Sequence, residues 1–250
     1  MKVDHEVMTI FMTWNEVMEK INNGRKTLFI PVGSTEQHGS HLPLYTDSLL
    51  ATHISTSLAK RMNGLVGPLV SLGYSPYHLH FPGTVSLSSQ TLKSILLDYI
   101  SSAVNHGFER IIIIPAHGGN FKAVNEAINE SGFSNVESYP DFERFSEIIN
   151  QPALKRGIPR ELVGAHGGIG ETSLMLYLEP DLVRLDKLTK GYVGNVEKAR
   201  ELMRKQGIHT VSDVGIIGDP TLSSSEMGKE AFELLITELY SYFNKTINKL

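Results

Sequence analysis

The sequence predicts an α/β protein, a three-layer α/β/α sandwich around a mostly parallel sheet. Short apolar segments rich in β-branched residues alternate along the chain with longer helical patterns. The clearest strand is 110–115, in which four consecutive isoleucines lie between turn residues, as in a strand covered on both faces. Because this alternation is typical of strands joined by crossover helices, we expect a parallel sheet between two helical layers.

Four other segments are predicted to be strands. The segment 27–32 is apolar throughout, as a buried strand would be, and the other three patterns are weaker. These three segments are 65–72, 136–139 and 211–217. Because binding sites in open parallel sheets lie beyond the carboxyl ends of the strands, the loops after these segments are where we expect the functional residues.

Helical patterns fill the intervals between the strands. The first, 13–23, opens with the capping-box sequence Thr-Trp-Asn-Glu and ends before Gly24. The remaining patterns are 47–62, 89–105, 120–130, 171–178 and 225–250. We interpret the stretch 151–170 as an excursion over the site, and since no linker divides the chain we predict a single domain over 1–250.

Composition excludes several classes of protein. The 250 residues carry a net charge of −4, which argues against nucleic acid or an anionic membrane as the main partner. There is no cysteine, so disulfide scaffolds, thiolate zinc sites, iron–sulfur clusters and a cysteine nucleophile are excluded. Residues 1–13 lack a signal-peptide pattern and no apolar run could span a bilayer, so we expect a soluble, cytoplasmic protein.

The richest motif is the segment 31–47, PVGSTEQHGSHLPLYTD, between a predicted strand and a predicted helix. It contains Glu36, His38, His41 and Asp47. Glu36 and His38 are two residues apart, so in an extended segment they project to the same side. Carboxylates and imidazoles converging on one loop are typical ligands of a divalent metal. The alternative is that Asp47 only caps a helix and the histidines are loop residues.

Two glycine-rich motifs carry further candidates. PAHGGN at 115–120 places His117 at the carboxyl end of the isoleucine strand, with Asn120 in a position to cap the next helix. HGGIGETSLML at 166–176 places His166 in a loop and Glu171 at a helix start, where the helix dipole favours a carboxylate. A neutral histidine such as His166 is suited to general acid or base catalysis. The alternatives are a tight strand–helix turn for the first motif and ordinary first-turn residues for the second.

A fourth segment, YHLHFPGT at 77–84, offers His78 and His80 as polar groups at the edge of the site, although core or surface roles are equally open. The sequence contains no P-loop, no dinucleotide-binding GxGxxG, no GxSxG nucleophile elbow and no HExxH.

Together these motifs resemble the creatininase (creatinine amidohydrolase) family. The resemblance includes FPGT at 81–84, AHGGN at 116–120 and GIIGDPT at 215–221, besides the two longest motifs at 31–47 and 166–176. It implies an α/β/α fold that forms a homo-oligomer, often a hexamer. It also implies metal-dependent hydrolysis of a non-peptide C–N bond in a cyclic or small amide, by a hydroxide that bridges two divalent metals.

The resemblance also implies roles for individual residues. By motif position, the metal ligands are Glu36, His38, Asp47 and His117, and Asp47 is the bridge between the two ions. His166 matches the catalytic histidine, which would protonate the leaving nitrogen. Carboxylate and imidazole ligands suit zinc, manganese and iron almost equally.

The chain departs from creatininase itself at three points. Gly119 stands where creatininase has a metal-binding glutamate, Ala165 stands where it has a glutamate before the catalytic histidine, and Trp14 is the only tryptophan. These differences predict a substrate other than creatinine. We expect Glu171 to complete the second metal site, because a metal can keep that carboxylate ionised at a helix N-terminus; the alternative is that it only caps its own backbone.

Three rival functions remain open from the sequence. Within the family, a formamide deformylase of flavin or deazaflavin biosynthesis and a peptidase of mycofactocin maturation share the HGGN form. Outside this chemistry, the same ligands could hold a structural ion in a protein without turnover. A two-metal phosphoesterase is disfavoured because the core motifs contain no lysine or arginine to hold a phosphate.

Overall fold

The computed structural model describes residues 6–247, and within them four strands form one parallel sheet. The strands are β1 (Thr27–Val32), β2 (Leu65–Val66), β3 (Arg110–Pro115) and β4 (Val136–Ser138). Their order across the sheet is β2-β1-β3-β4, with Leu28 of β1 opposite Leu65 of β2 and Ile111 of β3. The mostly parallel sheet predicted from the sequence is confirmed.

Helices cover both faces of the sheet. The reason is that β1 and β3 carry apolar side chains on each of the two faces. Leu28 and Ile30 of β1 pack with Ile111 and Ile113 of β3 in one core. Phe29 of β1 and the alternate isoleucines of β3 belong to a second core on the opposite face. Side chains of successive strand residues point to opposite faces, so the all-apolar strands require a helical layer on each side.

Each layer contains helices that alternate along the chain with the strands. One face is covered by α1 (Trp14–Asn22), α3 (Ser89–Asn105) and α4 (Asn120–Ser131). The other is covered by α2 (Thr46–Arg61), α5 (Phe142–Lys155), α7 (Ile169–Leu178) and α9 (Ser225–Ile247). The predicted α/β/α sandwich is therefore confirmed. No helix within residues 6–247 is both long and apolar enough to cross a membrane.

The predicted strand at 211–217 is wrong. Gly215 and Gly218 adopt φ angles of 72° and 126°, which interrupt an extended backbone, and only Ile217 forms isolated bridges, to His166 and Tyr192. The predicted strand at 65–72 shortens to β2, and beyond Pro68 only Val70 pairs with β1, as an isolated parallel bridge to Val32.

Each helix predicted from the sequence corresponds to an observed helix, and the predicted and observed first residues differ by two positions or fewer. The first matches α1, whose Thr13 cap and Glu16 form the predicted capping box. Two helices are not anticipated by the sequence patterns, α5 with Pro152 in its last turns and the strongly polar α8 (Val196–Gln206). The short helix α6 (Arg160–Val163) lies inside the predicted excursion. Residues 1–5 and 248–250, included in the expectations for the two termini, lie outside the described residues.

The chain changes direction across the sheet between β1 and β3. After β1 the chain enters α2 on one face, and after β3 it enters α4 on the other. The loops that follow these neighbouring strands separate at this point and leave a crevice, which is where open α/β sheets bind ligands.

Asn120 ties together the loops around this crevice. It is the first residue of α4 and makes no capping bond, contrary to the expectation that it caps the helix. Its fully buried amide instead donates to the Gly33 carbonyl at 2.8 Å and accepts from the Tyr74 N–H at 3.0 Å. One side chain thus satisfies a backbone group in each of two loops.

We expect Asn120→Ala to lower the free energy of unfolding by about 2–4 kcal/mol, because a buried backbone group in each loop loses its partner. Chemical denaturation would measure the loss. The control is Asn135→Ala, which removes one bond to the Glu109 carbonyl at a partly exposed position and should cost about 1 kcal/mol. Equal losses in the two variants would contradict the buried-bridge interpretation.

Candidate metal centre

Carboxylates and imidazoles from four segments meet at the carboxyl ends of β1 and β3. All six site residues that the sequence singled out lie in this cluster, and only the last of them is more than slightly exposed. They are Glu36, His38, Asp47, His117, His166 and Glu171. The parallel sheet brings together motifs that are far apart in the sequence.

The first group of potential metal ligands contains His117, Glu36 and Asp47. His117 Nδ1 lies 3.3 Å from Glu36 Oε2 and 3.2 Å from Asp47 Oδ2. Donor atoms around a tetrahedral ion with bonds of about 2.0–2.1 Å are themselves about 3.3 Å apart. The other ring nitrogen of His117 donates to the Tyr74 carbonyl at 2.9 Å, so Nδ1 is the nitrogen that faces both carboxylates and would bind a cation.

The second group is built in the same way around His38. Its Nε2 lies 3.3 Å from Asp47 Oδ1 and 4.0 Å from Glu171 Oε1. His38 Nδ1 donates to the Glu36 carbonyl at 3.1 Å, so Nε2 is the nitrogen that faces the two carboxylates. Asp47 therefore presents one carboxylate oxygen to each group.

Two of these donor atoms have no hydrogen-bond partner. In the described part of the chain, Glu36 Oε2 and His38 Nε2 are buried side-chain atoms that no donor or acceptor satisfies. Buried polar atoms are almost always hydrogen-bonded, so orphaned atoms of this kind call for a further partner. A divalent cation in each group would supply it, and the donor set fits such ions.

Asp47 does not cap a helix, so the capping alternative is wrong. Helix α2 begins at Thr46 after Tyr45, and the carboxylate accepts a hydrogen bond from Ser34 Oγ at 2.7 Å. Burial alone would raise the pKa of Asp47, but the neighbouring His38 and His117 hold that pKa below its usual range. The carboxylate stays charged in a position where the N-terminus of α2 also favours negative charge.

Glu171 holds the backbone that precedes its own helix and also faces the second group of potential ligands. Its Oε2 accepts from the Gly167 N–H at 2.6 Å, just before α7, while its Oε1 faces His38. Burial raises the pKa of Glu171 to about 6. Gly119 cannot contribute a ligand, because a Cβ there would lie 2.2 Å from the Tyr74 carbonyl oxygen and 2.5 Å from His117 Nε2.

His166 lies over the cluster with one nitrogen free. Its Nε2 donates to the Gln37 carbonyl at 2.7 Å, and its Nδ1 is 3.8 Å from Glu36 Oε1. Burial, reinforced by the charge of His38, holds the pKa of His166 well below its usual value. The ring is therefore neutral, with a lone pair directed toward the site.

Two functional residues receive no definite role from the sequence. His78 is buried, with Nε2 3.6 Å from Glu36 Oε1, and Gln37 donates from its amide to His78 Nδ1 at 3.0 Å. The segment preceding FPGT indicates His78, but nothing distinguishes Gln37 from a loop amide. His80 is exposed and stacks on His209 instead.

His41, the remaining histidine of the first motif, is not in either ligand group. It is fully buried, and its Nε2 lies 2.8 Å from Thr172 Oγ1. This contact joins the first motif to the residue that follows Glu171, so His41 supports the helix that carries that carboxylate.

The cluster lines a cavity of about 460 Å³. Tyr74, Tyr77, Phe142 and Phe145 contribute aromatic walls, and Ala165 lies beside the catalytic candidate His166. A concave, largely apolar cavity with a few converging polar groups is typical of a small-molecule site.

A carboxylate and imidazole cluster at the switch point of a parallel sheet is the kind of site that metal-dependent hydrolases use. Residues 11–243 match the model of the creatininase family, described as creatinine amidohydrolase. The chain therefore belongs to the creatininase family and is a hydrolase of that family.

Three curated relatives show the range of the family. The chain is 34% identical over 196 residues to creatinine amidohydrolase from Pseudomonas putida, covering 71% of this chain and 74% of the relative. It is 32% identical over 221 residues to a mycofactocin precursor peptide peptidase from Mycolicibacterium smegmatis, covering 84% and 81%. It is 26% identical over 247 residues to the 2-amino-5-formylamino-6-ribosylaminopyrimidin-4(3H)-one 5'-monophosphate deformylase of Methanobrevibacter smithii, covering 92% and 96%.

Solved structures agree with this placement. A crystal structure of creatininase superposes with a TM-score of 0.78 at 28% identity, covering 96% of this chain and 97% of that one. Similar structures include a Zn–Zn form of a creatininase variant and a manganese form of creatininase, each with a TM-score of 0.78. These forms, together with the ligand groups of this chain, support binding of a divalent metal.

We expect Asp47→Ala to abolish tight binding of divalent metal, because the substitution removes one oxygen from each ligand group. Calorimetric titration with Zn²⁺ and elemental analysis of the purified variant would measure the loss. Glu143→Gln, at a carboxylate that lines the cavity outside the ligand groups, is the control and should retain wild-type metal content. An Asp47→Ala variant that kept its full metal content would show that Asp47 is not a shared ligand.

Proposed function

We propose that the chain is a metal-dependent amidohydrolase that cleaves a non-peptide C–N bond in a small or cyclic amide. The observation that carries this proposal is the position of Asp47, whose two oxygens face two different ligand groups. A carboxylate shared in this way can hold two ions close together, which is the arrangement of two-metal hydrolases.

In this proposal Glu36, Asp47 and His117 hold one ion, and His38, Asp47 and Glu171 hold the other. When bound, the two ions would lower the pKa of a water between them toward about 7 and so supply a hydroxide nucleophile at neutral pH. The oxygen and nitrogen donors suit zinc, manganese or iron(II). The zinc and manganese forms of creatininase favour one of the first two.

The chain's own residues position the substrate and move protons. His166 Nδ1 faces the ligand groups with a free lone pair, so His166 can take a proton and pass it to the leaving nitrogen. Because His78 Nδ1 accepts from Gln37, the proton of the His78 ring is on Nε2, directed toward Glu36. His78 thereby fixes the orientation of a proposed ligand carboxylate.

A formamide deformylase is the narrower candidate within this proposal. The deformylase relative aligns with nearly the whole chain, and its substrate is an amide of this class. The cavity has no tryptophan in its wall among the described residues, and Trp14 is 74% exposed on α1. That composition disfavours creatinine, consistent with the departures at Gly119 and Ala165.

Further expectations from the sequence stay proposals. A single domain over 1–250 is supported by the packing of both helical layers on the same sheet. Assembly as a homo-oligomer and a cytoplasmic location stay predictions, which light scattering and cell fractionation would test.

Metal-stripped protein is expected to hydrolyse no amide. Reconstitution with Zn²⁺ or Mn²⁺ is expected to restore turnover of at least one member of a panel of formamides, lactams and cyclic ureides.

His166→Ala should lower the rate of amide hydrolysis by about 10²–10⁴-fold while metal content stays unchanged, because His166 moves a proton and holds no ion. Loss of metal in this variant would identify His166 as a ligand. Full metal binding with no hydrolysis of any amide would favour a structural ion.

Glu171→Gln is expected to lose one of two bound ions and keep the other, because Glu171 faces His38 and not His117. Stoichiometric metal titration separates the two sites. Glu179→Gln at the opposite end of α7, where the carboxylate pairs with His53 at 2.7 Å, is the control and should bind both ions. Unchanged stoichiometry in Glu171→Gln would show that this carboxylate only holds the Gly167 loop.

A further inference from the structure

The cavity wall contributed by α8 is cationic. The residues Arg200, Met203 and Arg204 line the cavity, and their spacing places them on one face of this helix. No motif shared with the family lies in α8, so this face is a feature of the wall and not of the metal centre.

Of the two arginines on this face, only Arg204 is available to a ligand. Arg200 is buried, and its guanidinium pairs with Glu143 Oε2 at 2.9 Å and contacts Glu197 Oε1 at 3.7 Å. Arg204 is exposed, and its Nε donates to the Arg200 carbonyl at 3.3 Å. Within residues 6–247 no carboxylate forms an ion pair with Arg204, so the outer nitrogens of its guanidinium keep their donors.

Two tyrosines extend this donor surface toward the metal ligands. Tyr74 and Tyr77 both line the cavity, with ring centroids 6.1 Å apart in an edge-on arrangement. Tyr77 and Arg204 line the same cavity. Burial and the Tyr74 side chain raise the pKa of Tyr77, and the positive charge of Arg204 opposes that rise. Tyr74 also accepts from His117 through its carbonyl, so this surface adjoins the first ligand group.

The charge balance of the wall favours an anion. Outside the metal-ligand groups, Glu143 is the only carboxylate on the cavity wall among the described residues, and Arg200 neutralises it. Lys122 adds a second cation at the rim, with its side chain 81% exposed and its ammonium paired with Glu126 at 3.8 Å. Arg204 is therefore the cation on this wall that has no ion-pair partner among residues 6–247.

We propose that Arg204, with the Tyr77 hydroxyl, forms a subsite for an anionic group of the substrate, a carboxylate or a phosphate distant from the amide that is cleaved. The proposal rests on the proposed amidohydrolase function, since that places the amide at the buried cluster and the anionic end at the mouth. A guanidinium binds either anion through paired N–H donors, and the two sources share this chemistry.

The test measures binding to the metal-reconstituted protein, so it does not depend on turnover. The probes are N-formylglycine against N-formylglycinamide for a carboxylate, and O-phospho-N-formylethanolamine against N-formylethanolamine for a phosphate. We expect wild-type protein to bind one or both anionic probes about tenfold or more tightly than the neutral partner in isothermal titration calorimetry. The pair with the larger preference identifies which anion the subsite takes.

Arg204→Gln should reduce that preference to about twofold or less and leave the affinity for the neutral probes unchanged. Arg204→Lys should retain part of it, because the charge remains and the planar pair of donors is lost. The control is Lys205→Gln, the next residue on α8, whose ammonium pairs with Glu201 at 2.6 Å and which should behave as wild type.

Equal affinity of wild-type protein for the charged and neutral probes, or a preference that survives in Arg204→Gln, would overturn the subsite. Binding of every anionic probe weaker than about 1 mM would overturn it as well. A failure of the proposed function gives a different result: the charge preference and its loss in Arg204→Gln are intact, while no amide is hydrolysed by the reconstituted wild-type protein.

Discussion

The buried carboxylate of Asp47 is the group on which the rest of the site depends. It is 2% exposed, and it stays charged because imidazoles face both of its oxygens, His38 at 3.3 Å and His117 at 3.2 Å. Removing such a charge from water costs several kcal/mol unless partners and hydrogen bonds replace the water. Ser34, donating from the preceding loop at 2.7 Å, contributes one of them. The arrangement therefore couples the β1 loop, the start of α2 and the turn after β3.

The parallel sheet makes that coupling possible. β1 and β3 are neighbours, and Val32 lies in register with Pro115, so the loops after both strands start at the same level. Their helices leave to opposite faces, which opens the crevice, and Asn120 then ties Gly33 to Tyr74 across it. The same Tyr74 accepts the N–H of His117 through its carbonyl, so the backbone bonds that close the fold also set the ring orientation of a proposed ligand.

The sequence predicts the sandwich and the gathering of the six site residues, and each failure has a physical reason. The apolar runs 27–32 and 110–115 identify their strands because both faces are buried. By contrast, 211–217 has the residues of a strand but turns at Gly215 and Gly218. Helix α8 has an apolar stripe of Val196, Ala199 and Met203, but the rest of its sequence is mostly charged. Gln37 lies inside the motif at 31–47 but carries no charge, and its importance arises from the histidines that the fold brings against it, His78 and His166.

The loops that carry the proposed ligands contain the motifs of the family, whereas the outer wall of the cavity contains none of them. The proposed ligands and the proposed proton carrier come from loops at the ends of the central strands and from the start of α7, all within the long motifs. A Cβ at Gly119 would strike Tyr74, so this loop cannot carry a carboxylate, and the oxygen facing His38 comes instead from Glu171 on α7. The outer wall of the cavity comes from α5 and α8, whose surfaces no motif constrains. The charged residues of that wall lie outside the two proposed ligand groups. Under the proposed subsite, Arg204 can therefore set the choice of substrate while the reaction class stays the same.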